Sequence, residues 1–212
     1  MGNNSINFIR NAFKENDKFI PLHVPSFIGN EKKYLEDCID STFVSSVGAY
    51  VDLFEEKMSL FTQTKKSVAV VNGTSALQVA LRLVGVKQND EVITQALTFV
   101  ATANAILYNN AHPIFLDVDI DTMGLSPKSV EAFLEDHGEL REDGCFNKIT
   151  GRKIAACMPM HTFGFPVKLD ELISVCKKWS IPIVEDAAES IGSSYKGKPT
   201  GSFGEIAGFS FN

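Results

Sequence analysis

The sequence predicts an α/β protein built on a largely parallel sheet with helices on both faces. Short apolar runs alternate with amphipathic stretches from residue 67 onward, and several runs stop abruptly at small, hydroxyl-bearing or acidic residues. Strands of a parallel sheet are covered on both faces, so they read as continuous apolar runs. Ligands of such sheets sit beyond the carboxyl ends of the strands. The chain has 212 residues, 44% of them hydrophobic and 16 of them Phe, enough for one large domain with a sizeable core.

Residues 1–18 are polar with a helical stripe of Ile6, Ile9, Arg10 and Phe13, and read as an N-terminal arm to a body spanning 19–212. Pro21 and Pro25 make residues 19–25 extended. Asn30 can cap a helix running to about Ser41, with Tyr34, Leu35, Cys38 and Ile39 at helical spacing. Residues 43–48 form a small, hydroxyl-rich loop. A helix over 49–62 follows, with Val51, Phe54, Met58 and Phe61 on one face.

From there strands are predicted at 67–71, 91–94, 112–117, 153–158, 181–185 and 208–211. Helices are predicted at 74–84, 99–108, 126–136 and 169–179. Ser126 caps the third of these helices and Pro127 opens its first turn. Residues 137–151 are polar and Gly-containing, and read as an exposed insertion.

The formal charge of −6 and pI near 5.3 argue against a nucleic-acid or anionic-membrane surface. Cys38, Cys145, Cys157 and Cys176 show no CxxC spacing and do not cluster with the four histidines, so no metal site is expected. Free thiols in a reducing compartment follow. No apolar run is long enough to span a bilayer, and the N-terminus lacks the apolar region of a secretion signal. A cytoplasmic protein is the expectation.

Five places could carry chemistry. In Asn72-Gly73-Thr74-Ser75 a strand meets a helix through small and hydroxyl residues, a turn able to hold a phosphate. Thr74 or Ser75 could equally do no more than cap the helix. Phe99 opens a helix beyond a strand end, as a stacking face for a flat ligand or as a core aromatic. Asp186, with Glu189, follows the strand over 181–185; it suits a cationic ring nitrogen, or a simple capping role. His161 lies past another strand, where a packed histidine is the plainer reading. Ser210 adds a hydroxyl at the last strand end. Taken together they supply a phosphate turn, a ring face and a ring-nitrogen acid on successive strand ends, the parts needed to hold pyridoxal phosphate (PLP).

In these segments the chain resembles the DegT/DnrJ/EryC1/StrS group of sugar-nucleotide aminotransferases, which have the aspartate-aminotransferase-like (type I) fold. The likeness lies in Asn72-Gly73-Thr74-Ser75-Ala76-Leu77, Asp90-Glu91-Val92-Ile93-Thr94, Thr98-Phe99-Val100-Ala101-Thr102-Ala103-Asn104, Asp117-Val118-Asp119, Glu185-Asp186-Ala187-Ala188 and Gly208-Phe209-Ser210-Phe211-Asn212. Residues 20–23, 27–34 and 41–48 resemble its LegC-like branch, which acts on UDP-linked N-acetylhexosamines in surface-glycan and nonulosonic-acid synthesis.

The resemblance implies that Thr74, Ser75 and Ser210 bind the cofactor phosphate, Phe99 stacks on the pyridine ring, and Asp186 pairs with the ring nitrogen. Glu189 stands where many relatives have Gln or His near the ring hydroxyl, and a carboxylate there would repel a phenolate. Ser45, Ser46 and Gly48 lie in the loop that meets the nucleotide sugar. The implied reaction moves an amino group from glutamate to a 4-keto-6-deoxy sugar nucleotide, in a homodimer. The resemblance also puts the Schiff-base lysine beyond Asn212, with the small C-terminal domain, so the 212-residue chain alone is expected to be inactive. Relatives with His in place of that lysine are sugar dehydratases, an alternative left open together with a non-catalytic truncated form.

Overall fold

The computed structural model describes residues 2–21 and 24–211. It divides into two compact units, Met1–Gly48 and Ala49–Asn212. In the first, α1 spans Gly2–Phe13 and α2 spans Glu31–Asp40. Asn30 precedes α2 but makes no side-chain cap; Glu31 instead accepts the Gly29 N–H at 2.9 Å. The helical stripe of α2 is present but not buried, with Leu35 and Ile39 exposed. Leu22 and His23, part of the stretch expected to be extended, lie outside the described residues.

The second unit opens with α3 (Ala49–Thr62) and α4 (Gly73–Leu83). The alternating part then runs β1 (Glu91–Gln95), α5 (Val100–Tyr108), β2 (His112–Leu116), α6 (Pro127–His137), β3 (Gly138–Arg141), β4 (Gly144–Asn147), β5 (Ile154–Cys157), α7 (Leu169–Lys178) and β6 (Val184–Asp186). The two-residue strands β7 (Ser194–Tyr195) and β8 (Lys198–Pro199) precede β9 (Ile206–Gly208). Strands β2, β1 and β5 pair in parallel, and β6 pairs in parallel with β9. Parallel bridges Cys157–Ile183 and Met160–Asp186 join the two sets. The order β2-β1-β5-β6-β9 therefore brings every carboxyl end to one side of the sheet.

Neighbouring residues of a strand face opposite sides. Ile93 enters a core with Val130 and Leu134 of α6 and Leu169 and Leu172 of α7. Val92, beside it, enters a second core with Leu77 and Leu81 of α4 and Ala105 and Ile106 of α5. One strand feeding two cores is what covers both faces, as the alternating pattern predicts.

Three expectations need correction. Residues 67–71 are not a buried strand: among the described residues nothing pairs with them, and Val68 and Val71 are 67% and 86% exposed. The Ala69 N–H donates to Glu55 Oε1 at 2.7 Å. An apolar run becomes a strand only beside a neighbour that takes its backbone groups. Residues 137–151 are not simply an exposed insertion, since they fold as the β3–β4 hairpin with Cys145 and Asn147 buried. Asn147 Nδ2 donates to buried Glu91 at 2.9 Å, which ties the hairpin to β1. The last strand is Ile206–Gly208, earlier than predicted, and Phe209, Ser210 and Phe211 follow it.

Candidate active site

The site is built at the carboxyl ends of β1, β5, β6 and β9. Loops there need their backbone groups satisfied, and buried Gln95 at the end of β1 does much of this. Its Oε1 accepts the N–H groups of Leu125 (2.9 Å) and Met160 (3.1 Å), and its Nε2 donates to Leu97 O and Thr162 Oγ1.

Asp186 ends β6 and is 2% exposed. Thr102, in the first turn of α5, donates to its Oδ2 at 2.6 Å, and the Ala188 N–H reaches Oδ1 at 3.2 Å. Burial raises the Asp186 pKa above the ordinary aspartate value; the Thr102 and Ala188 donors and His161 pull it down without cancelling that rise. Phe99 is the residue before α5, and its carbonyl accepts the Thr102 N–H at 3.1 Å. It is 63% exposed, so it is not a core aromatic. Its own N–H points to Met160 Sδ at 3.3 Å. One helical turn thus carries both the exposed ring and the hydroxyl that grips the acid.

The turn before α4 lies close to the end of β9. Asn72 is the helix cap, with Oδ1 accepting the Ser75 N–H at 2.8 Å. Neither Thr74 nor Ser75 is spent on capping, and no hydrogen bond engages either hydroxyl among the described residues. A Cβ added at Gly73 would lie 2.8 Å from Ser210 Cβ, so only glycine lets the two segments approach this closely. Two residues before Ser210, Gly208 O accepts the Ala187 N–H at 2.9 Å, which links the end of β9 to the end of β6. Asp186, Ser210 and the helix starts that carry Phe99, Thr74 and Ser75 therefore lie along one side of the sheet. A buried acid, an exposed aromatic and an open hydroxyl-lined helix start fit the ring nitrogen, ring face and phosphate of PLP.

His161 is fully buried and structural. Its Nδ1 faces the Val167 N–H at 3.4 Å, and its Nε2 faces Glu185 Oε2 at 3.0 Å. Glu185 also accepts from the N–H groups of Gly201, Phe203 and Gly204 at 2.7–2.8 Å. Glu189 is exposed, and its Oε2 takes the Phe163 N–H at 3.0 Å, where Phe163 is held at φ 54°. Ser45, Ser46 and Gly48 belong to the first unit. The serines are exposed, and Gly48 has φ +150° with space for a Cβ only at 3.4 Å from Phe43. Thr102, Met160 and Gln95 were not singled out from the sequence. The Thr98–Thr102 spacing of four on a helix start is the one local signal that bore on them.

A family model described as the DegT/DnrJ/EryC1/StrS aminotransferase family matches residues 25–212. The chain belongs to this family. It is 39% identical over 194 residues to the GDP-perosamine synthase of Escherichia coli O157:H7, covering 92% of this chain and 49% of that protein. It is 40% identical over 195 residues to EpsN of Bacillus subtilis (strain 168), provisionally named a pyridoxal phosphate-dependent aminotransferase, covering 92% and 48%. Among solved structures it is similar to Spr1654 of Streptococcus pneumoniae, provisionally named a sugar aminotransferase, in its PLP-form. There the TM-score is 0.75 at 28% identity, over 92% of this chain and 49% of that one. The chain spans about half the length of the curated relatives it matches. The fold is that of the type I PLP aminotransferases, and the family is PLP-dependent. No described helix is long and apolar enough to cross a membrane.

Proposed function

We propose that this chain carries the cofactor seat of a PLP-dependent aminotransferase that delivers an amino group from glutamate to a nucleotide-linked 4-keto-6-deoxy sugar, for surface-glycan synthesis. The observation that supports it best is the joining of Asp186, Phe99 and the Gly73–Ser210 contact at adjacent strand ends. Bound PLP would act as an electron sink while its ring nitrogen is protonated. Asp186 would pair with that nitrogen, and its burial would strengthen the attraction. Phe99 would cover one ring face. The free N–H groups at the start of α4, with the hydroxyls of Thr74, Ser75 and Ser210, would hold the phosphate. Glu189, already bound to the Phe163 N–H, would stand near the ring hydroxyl without donating to it.

The finer reading is a UDP-linked N-acetylhexosamine, met by Ser45, Ser46 and Gly48, in a homodimer. The relative named GDP-perosamine synthase favours a GDP-linked sugar as the second reading. The lysine that tethers PLP and moves its proton is proposed to lie beyond Asn212. Lys196 and Lys198 do not replace it: Lys196 pairs with Asp170 at 2.5 Å, and Lys198 donates to Ser202 O at 2.6 Å. The 212-residue polypeptide is therefore expected to bind pyridoxamine 5′-phosphate (PMP) reversibly and to give no turnover with glutamate and a 4-keto sugar nucleotide. Turnover by the purified polypeptide would contradict this. Comparing UDP- and GDP-linked substrates in a polypeptide extended through the proposed lysine separates the two sugar readings.

A further inference from the structure

We propose that Thr102, backed by Thr98, is a positioning residue for the cofactor: its hydroxyl keeps Asp186 a carboxylate and leaves Oδ1 to face the ring nitrogen. This rests on the cofactor reading above, and it concerns residues to which that reading gives no part.

Thr102 Oγ1 lies 2.6 Å from Asp186 Oδ2 and 2.7 Å from Thr98 Oγ1. Each hydroxyl has one proton to give. The Thr98 proton has two acceptors in reach, Thr102 Oγ1 and Met160 Sδ at 3.2 Å, and a thioether is the weaker. Met160 Sδ already faces the Phe99 N–H at 3.3 Å. Thr98 therefore donates to Thr102, and Thr102 donates to Asp186. A proton on Oδ2 would meet the Thr102 proton head-on, and a hydroxyl donor binds a carboxylate more strongly than a neutral acid protonated on Oδ1, so this arrangement favours the ionised form. Successive hydrogen bonds in a buried chain also polarise one another.

The geometry divides the two oxygens. Oδ2 is turned into the protein by the hydroxyl. Among the described residues Oδ1 has only the long 3.2 Å contact from the Ala188 N–H, and it keeps accepting capacity for a cation. The other ionisable groups that bear on Asp186 are His161, which favours its charged form, and exposed Glu189, which opposes it. Neither is bonded to the carboxylate, so the Thr102 hydroxyl is the close donor that offsets the cost of burial.

The test uses Thr102→Val, which keeps the side-chain shape, and Thr102→Ser, which keeps the hydroxyl. In the ligand-free chain the Asp186 carboxyl carbon, identified by its loss in Asp186→Asn, is titrated by NMR. Thr102→Val is expected to raise its pKa by about one unit, and Thr102→Ser to leave it near wild type. With 15N-labelled PMP bound, the ring nitrogen in Thr102→Val should lose its proton at a pH lower by about one unit. An Asp186 titration unchanged in folded Thr102→Val overturns the proposal. Should Thr102→Val not fold, Thr98→Val leaves the Thr102–Asp186 bond in place and should give a smaller shift in the same direction; no shift there overturns it as well. Absence of PMP binding by the wild-type chain overturns the cofactor reading, and the ligand-free titration still decides between a Thr102 that holds the carboxylate and one that does not.

Discussion

The two faces of β6 carry adjacent carboxylates in opposite circumstances. Glu185 points into the loop side, where His161 Nε2 and the N–H groups of Gly201, Phe203 and Gly204 surround it. Burial pushes its pKa up, but His161 and the Gly204 and Gly201 N–H groups outweigh that and hold it below the ordinary glutamate value. Asp186 points to the opposite side with two donors, one of them long, and its pKa stays raised. A saturated buried carboxylate holds loops together, whereas an under-satisfied one is a seat for a missing cation. The same chemistry, one residue apart, is saturated with donors on one face and keeps accepting capacity on the other.

The largest expected effect breaks the saturated face. Glu185→Ala leaves a buried imidazole N–H and three backbone N–H groups without an acceptor, and should cost about 3–5 kcal/mol in urea unfolding. Asp186→Ala should behave the other way. Its stability should fall by only about 1–2 kcal/mol, because the Thr102 hydroxyl and the Ala188 N–H are the donors that lose an acceptor. PMP affinity should fall about a hundredfold, the scale of losing one partner of a buried charge pair. Comparable unfolding losses for the two variants would erase the distinction between the faces.

A smaller effect concerns the phosphate end. Gly73→Ala drives a methyl against Ser210 Cβ, and should weaken PMP binding about tenfold, or about 1.4 kcal/mol. Adding Ser210→Gly should restore part of that affinity, and calorimetry on both variants checks it. The smallest effect is in pH. Glu185 has a depressed pKa, so its contribution is present above the unfolded-state value and is lost as pH falls through the folded value. Asp186 has a raised pKa, so the folded state takes up its proton first and gains stability as pH falls through that value. Urea midpoints from pH 8 to 3 should therefore converge for wild type and Glu185→Gln. For wild type and Asp186→Asn they should shift in favour of wild type as pH falls.

The sequence makes some of this legible and hides the rest for physical reasons. Alternating apolar runs announced the doubly covered sheet, because each strand must feed both cores, as Val92 and Ile93 do. The same signal misread residues 67–71, since an apolar run does not reveal whether a strand lies beside it. Composition likewise hid the β3–β4 hairpin, whose polar residues face out while Cys145 and Asn147 face in. The positions of Asp186 at the end of β6 and Ser210 just past β9 are legible because a strand end is a local feature. Thr102 is not, because its partner is 84 residues away, and a threonine in a helix start looks like any other. Nothing local separates Glu185 from Asp186 in role; the pleat does, by sending them to opposite faces.

The central claim is that the Asp186 face receives the pyridine nitrogen. A crystal structure of this chain with PMP tests it most directly. The account predicts the ring nitrogen about 3 Å from the Asp186 carboxylate, the ring against Phe99, and the phosphate at Thr74, Ser75 and Ser210. PMP bound away from β6, or bound with its phosphate rather than its ring nitrogen toward Asp186, would contradict it.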